Sequence, residues 1–100
     1  IELKDGRNVI GREAECQISL PVTGVSREHA CIELQTQAGL VWLEDLGSTN
    51  GTYWGPNQAN EAELIKVEKK RIIRDGEVIW ISGNRLTIRF QGGMAARGES

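Results

Sequence analysis

Apolar and polar residues alternate with a period of two in several short stretches of this chain. Ala30, Ile32 and Leu34 alternate with Cys31, Glu33 and Gln35, and Leu86, Ile88 and Phe90 alternate with Thr87 and Arg89. That period puts successive side chains on opposite faces of an extended strand with one face buried. Further short runs at 2–4, 8–10, 16–20, 40–44 and 78–81 are separated by turn residues such as Asp5-Gly6 and Ser82-Gly83-Asn84. Many short strands at such spacing predict an all-β sandwich or barrel. The stretch 60–70 departs from this pattern. Asn60 with Glu63 resembles a helix N-terminus, but Leu64, Ile65 and Val67 are too few for an apolar stripe. An irregular loop or a strand pair is the preferred reading there, with a short helix as the alternative.

The runs 30–35 and 40–46 are joined by Thr36-Gln37-Ala38-Gly39 and read as one hairpin. A hairpin brings its outer ends together. Those ends carry two polar stretches, Val25-Ser26-Arg27-Glu28-His29 and Gly47-Ser48-Thr49-Asn50-Gly51-Thr52, and Gly11-Arg12 lies shortly upstream. Guanidinium groups, hydroxyls and turn N–H groups gathered in one place make an anion site. Arginine offers a planar fork that matches phosphate oxygens. Ser and Thr add short donors, and an Asn side chain offers a donor and an acceptor to a peptide backbone. Arg12, Ser26, Arg27, Thr49 and Asn50 fill these roles from loop positions. Taken singly, each is an ordinary turn or surface residue; only the joint pattern is specific. His29, the single histidine, reads as a hydrogen-bonded turn organiser. With Ser26 it forms the one candidate nucleophile and base pair, but no acid is placed to orient it, so an enzyme is not expected.

Composition narrows the function classes. Hydrophobic content is 39%, charged content 26% and formal net charge −2 over 100 residues, which describes one globular domain. Such a charge balance gives no basic footprint for nucleic acid. No apolar run reaches membrane-spanning length, so neither nucleic acid nor membrane is an expected partner. Cys16 and Cys31 lack metal-ligand spacing. They read as reduced thiols of an intracellular protein, with cytoplasm and nucleus unresolved. No metal or cofactor is called for. Lys66, Lys69, Lys70, Arg71 and Arg74, interleaved with Glu68 and Asp75, read as a solvated mixed-charge face. Trp42 and Trp80 read as packing residues, and Trp54, near the Asn50-Gly51 turn, as packing or a ligand contact. Residues 92–100, with no periodicity, read as a disordered tail or linker after a domain over 1–91.

The motifs Ile10-Gly11-Arg12, Ser26-Arg27-Glu28-His29-Ala30, Asp45-Leu46-Gly47-Ser48-Thr49-Asn50-Gly51-Thr52 and Gly76-Glu77-Val78-Ile79-Trp80-Ile81, in this order and spacing, resemble the forkhead-associated (FHA) domain family. The resemblance implies an FHA-like β-sandwich of two antiparallel or mixed sheets that binds phosphothreonine-containing proteins through loops at one end. It implies that Arg12, Ser26 and Arg27 contact phosphate, that Thr49 shapes the pocket for the threonine methyl, and that Asn50 holds the peptide backbone. Gly11, His29, Ser48 and Gly51 would build the loops. The implied function is a phosphothreonine-dependent binding module of a signalling or regulatory protein; an assembly domain of the same fold without strict phosphate dependence is the alternative. The stretch 54–71 is longer than the usual connection in this family. A first strand that would pair with 86–90 finds no counterpart ahead of Glu2. Either residues upstream supply that strand, or the open edge pairs with a second copy to give a dimer.

Overall fold

The computed structural model describes residues 3–89. Alternation decides the first sheet. β1 (Gly6–Gly11), β3 (Ala30–Gln35) and β4 (Leu40–Asp45) turn Asn8, Ile10, Ile32, Leu34, Val41 and Leu43 inward, and all six are buried. β3 and β4 form the expected hairpin, with Gln35 opposite Leu40 and Ala30 opposite Asp45. β2 (Ile18–Ser19) lies parallel to the end of β1, and β7 (Lys70–Ile73) closes the far side, giving the order β2-β1-β3-β4-β7. The second sheet has the order β6-β5-β8-β9, from β5 (Thr52–Gly55), β6 (Ile65–Lys66), β8 (Val78–Ile81) and β9 (Asn84–Thr87). Ile79 and Ile81 from this sheet join Ile10, Ile32, Leu43 and Val25 in one core between the layers. The all-β sandwich is therefore the fold. Burying a side chain of this size contributes about 1.5–3 kcal/mol, so the core carries the scaffold on which the loops sit.

Several expectations need correction. Leu3 and Lys4 form no strand; the Asn8 side chain takes up both backbone groups of Lys4, at 2.8 Å each. The expected strand over 16–20 shrinks to Ile18–Ser19. The last strand begins earlier than read, at Asn84, because Ser82 and Gly83 alone make the turn. Both have positive φ (49° and 81°), and Ile81 pairs with Asn84 across them, a two-residue hairpin whose twist suits its strands. Ile88 prolongs the pairing, its N–H donating to Glu77 at 2.9 Å and its carbonyl accepting from Gly76 at 2.7 Å. Phe90 and the tail expected over 92–100 lie outside the described residues. At the β9 edge Leu3, Ile18, Leu86 and Ile88 line a cavity of about 160 Å³.

The stretch 60–70 is a loop leading into short strands, with a single 3₁₀ turn at Glu61–Glu63. Asn60 caps that turn and Glu63 reaches back to the Asn60 N–H at 2.9 Å, so the capping signal was real but too short for a helix. Nor is the basic run wholly solvated. Arg71 stands opposite buried Leu43 and stacks on Trp54, its guanidinium 3.6 Å from the ring centroid. That cation–π contact, with a 2.9 Å bond from the Trp54 indole to Glu77, assigns Trp54 to packing. Among the described residues no helix is long and apolar enough to cross a membrane.

Candidate anion-binding site

The end of β1, the loop before β3 and the loop between β4 and β5 meet at one end of the sandwich. Backbone bonds bring them together. Arg12 N–H donates to Ser26 O at 3.0 Å, His29 N–H to Ile10 O at 2.8 Å, and Leu46 N–H to His29 O at 3.0 Å. Gly11 is obligatory at this crossing, because a Cβ there would collide with the carbonyl oxygen of Arg27.

His29 is fully buried and ties the loops to each other. Its Nδ1 accepts from the Ser26 N–H at 3.0 Å, and its Nε2 lies 2.8 Å from the Gly51 carbonyl. A backbone N–H can only donate and a carbonyl can only accept, so the ring is the Nε2–H tautomer. This is the turn organiser expected from sequence. It also answers the catalytic alternative: neither ring nitrogen faces the Ser26 hydroxyl, which instead accepts from the Thr49 N–H at 3.1 Å.

Asp45 organises the second loop. One carboxylate oxygen accepts from the hydroxyls of Ser48 (2.6 Å) and Thr52 (2.7 Å), and the other from the N–H groups of Gly47 (3.1 Å) and Ser48 (3.2 Å). Partial burial pushes this carboxyl upward, but the bonds from Ser48, Thr52 and Gly47 outweigh it and hold Asp45 below the ordinary carboxylate value. Ser48 passes the order on, accepting from the Gly51 N–H at 3.0 Å. Gly51 takes the positive φ of this turn (87°), and Asn50 does not. The Asn50 side chain donates to the Gly24 carbonyl at 2.8 Å, pinning the opposite loop.

These ties leave a cleft of about 330 Å³ lined by Arg12, Gly24, Val25, Ser26, Arg27, Thr49 and Asn50. All five residues singled out from sequence as ligand contacts stand on it. Arg12 and Arg27 are exposed, and among the described residues neither has a salt bridge. Gly11, His29, Ser48 and Gly51, expected to build the loops, are not among its lining residues. Sequence reasoning gave no role to Asp45 or Gly24. An aspartate followed by Gly47 and Ser48 was a readable sign, because such a carboxylate closes on N–H groups two and three residues on. Nothing in the sequence marks Gly24, whose carbonyl matters only through the fold.

A family model of the FHA domain matches residues 8–82. The chain belongs to the FHA family. FHA domain-containing protein FhaA of Mycobacterium tuberculosis is 35% identical over 89 residues, covering 89% of this chain and 15% of FhaA. The zebrafish (Danio rerio) E3 ubiquitin-protein ligase CHFR is 33% identical over 81 residues, covering 80% of this chain and 12% of CHFR. A solved structure from a structural and functional analysis of phosphothreonine-dependent FHA domain interactions is 37% identical, with a TM-score of 0.72, covering 89% of this chain and 81% of that one. The chain thus spans a small fraction of the length of these curated relatives. An FHA domain is a binding module, and the commitment of both His29 nitrogens to backbone in this one is consistent with that.

Proposed function

We propose that this FHA domain binds phosphothreonine-containing segments of partner proteins in the cleft between Arg12, Ser26, Arg27, Thr49 and Asn50. The observation that carries the reading is two guanidinium groups that have no salt bridge among the described residues, beside a hydroxyl and a turn N–H already fixed to each other. Arg12 and Arg27 would neutralise the phosphate dianion through charge-assisted bonds, and Ser26 would add a short donor. Thr49 would border the threonine methyl. The Asn50 amide gives one N–H to the Gly24 carbonyl, and its carbonyl oxygen and second N–H would serve the peptide backbone. Similarity to an FHA domain studied for phosphothreonine-dependent interactions supports the same reading. The parent protein is then an intracellular signalling or regulatory protein that this module recruits to phosphorylated partners.

Calorimetric titration with one peptide in phosphothreonine, unphosphorylated and glutamate forms tests it. Binding is expected for the phosphothreonine form alone. Equal affinity for the three forms would leave the assembly-domain alternative in its place.

A further inference from the structure

Asn50-Gly51 is the only Asn-Gly pair in the sequence. Asparagine is among the least durable residues. It is least durable before glycine, where no side chain hinders attack of the glycine nitrogen on the asparagine side chain. Asn50 is exposed. It stands between the anion cleft and a second cavity, of about 430 Å³, that Tyr53, Leu64 and Trp80 also line, so water reaches its side chain from both. The outer wall of that second cavity belongs to the segment 56–64, where the Asn60–Glu63 capping box holds a turn. Both groups that would react are held in the folded chain. The Asn50 side-chain amide donates to the Gly24 carbonyl at 2.8 Å, and the Gly51 N–H donates to the Ser48 hydroxyl at 3.0 Å. The second tie spans three residues of one turn, so it can open while the sandwich stays folded.

We propose that Asn50 is the site of a spontaneous, irreversible modification that closes the anion cleft, and that a bound ligand holds it off. The Gly51 nitrogen gives its proton to solvent and attacks the Asn50 side-chain carbon. A new C–N bond forms, the bond to the side-chain nitrogen breaks, and ammonia leaves with a proton from solvent. Water then opens the five-membered imide at either of its two C–N bonds. One opening leaves an ordinary aspartate at position 50, the other an isoaspartate, and the Gly51 nitrogen regains its hydrogen. Water is the only co-reactant. Each product carries a carboxylate where the neutral amide stood. It can no longer donate to the Gly24 carbonyl, and it faces Arg12 and Arg27 as a rival to any anion that enters. Like charges set together cost several kcal/mol, so the modified cleft rejects a phosphate dianion. A peptide bonded to the Asn50 side chain keeps that side chain from turning onto Gly51. This protection rests on the phosphothreonine reading above; the chemistry at Asn50 does not. An occupied domain would keep its site, and an idle one would lose it with age.

The test incubates the intact, folded chain in mildly alkaline buffer and follows every asparagine by mass spectrometry of its proteolytic fragments. Position 50 should convert first, ahead of Asn57, Asn60 and Asn84. Ser48→Ala, which frees the Gly51 N–H, should convert about fivefold faster, the worth of one such bond. A phosphothreonine peptide kept at about ten times its Kd should slow wild type about tenfold, in step with the free fraction. Converted protein separated by ion exchange should keep its circular dichroism and lose at least about tenfold in affinity for that peptide. Conversion at another asparagine before position 50, a slower Ser48→Ala, a rate that bound peptide does not change, or converted protein that binds within about twofold of the starting chain would each overturn the proposal and leave the phosphate reading standing. The phosphate reading fails separately, if unconverted protein binds the phosphorylated and unphosphorylated peptides alike.

Discussion

The two cavities at the ligand end are held in different ways. The anion cleft is fastened by side chains that reach far along the chain: His29 to Gly51, Asn50 to Gly24, Ser26 to Thr49. The wall of the neighbouring cavity is fastened almost wholly by near neighbours, with Asn60 bonded to Ala62 and Glu63 bonded back to Asn60. Long-range ties fix a geometry only if the whole sandwich is folded, and they then hold it rigidly. Local caps let one segment change in length or sequence without disturbing the rest.

The largest effect should come from the cleft. Arg12→Ala removes one charge-assisted partner of the phosphate, at a cost of about 2–5 kcal/mol, or at least roughly thirtyfold in affinity. The thermal melt should be unchanged, and an Arg12→Ala protein that binds within about threefold of wild type would remove Arg12 from the cleft's chemistry.

His29→Ala should act on the whole domain. It leaves the Ser26 N–H and the Gly51 carbonyl without partners at a buried site, each worth about 1–3 kcal/mol. Urea unfolding should show a global loss of about 2–6 kcal/mol. If stability holds while only peptide binding falls, the ring is a ligand contact and not the tie described.

Acid tests the Asp45 hub. Its folded value lies below the ordinary one, so its contribution is complete above about pH 4, the unfolded value, and is lost as pH falls through the lower folded value. The wild-type melting temperature should therefore drop more steeply below about pH 4 than that of Asp45→Asn, which has no proton to take up there. Parallel curves would remove Asp45 from the account. The smallest effect belongs to the segment. Asn60→Ala should cost about 0.5–1 kcal/mol of local order, seen as faster amide exchange at Ala62 and Glu63. A global loss of stability would mean that the segment is no separable part.

Much of this was legible in the residues. Ala30, Ile32 and Leu34 alternate in sequence and form β3 as read; the run 78–81 forms β8 as read, but Val78, Ile79 and Ile81 are all buried and do not alternate. The hairpin logic placed Ser26 beside Thr49, and a bond of 3.1 Å joins them. What stayed hidden depended on contacts far apart in sequence. Arg71 sits in a run of cations and looks solvated, yet the partner that draws it inward, Trp54, lies on the other sheet. Cys31 falls on the outward face by alternation but is buried all the same. Leu3 and Lys4 suit a strand, yet both backbone groups of Lys4 bond to the Asn8 side chain instead of to a neighbouring strand.

The imidazole bridge between Ser26 and Gly51 has a kinetic consequence. With both loops tied before any ligand arrives, the cleft needs no closing step, and its ordering cost is met when the domain folds. Association with a phosphopeptide is then governed by encounter and by the attraction of Arg12 and Arg27, and it slows as salt screens them. Good and poor sequences should be captured at nearly equal rates and told apart by how long they stay. An FHA domain built this way would sample many phosphorylated segments quickly and keep only the few that dissociate slowly.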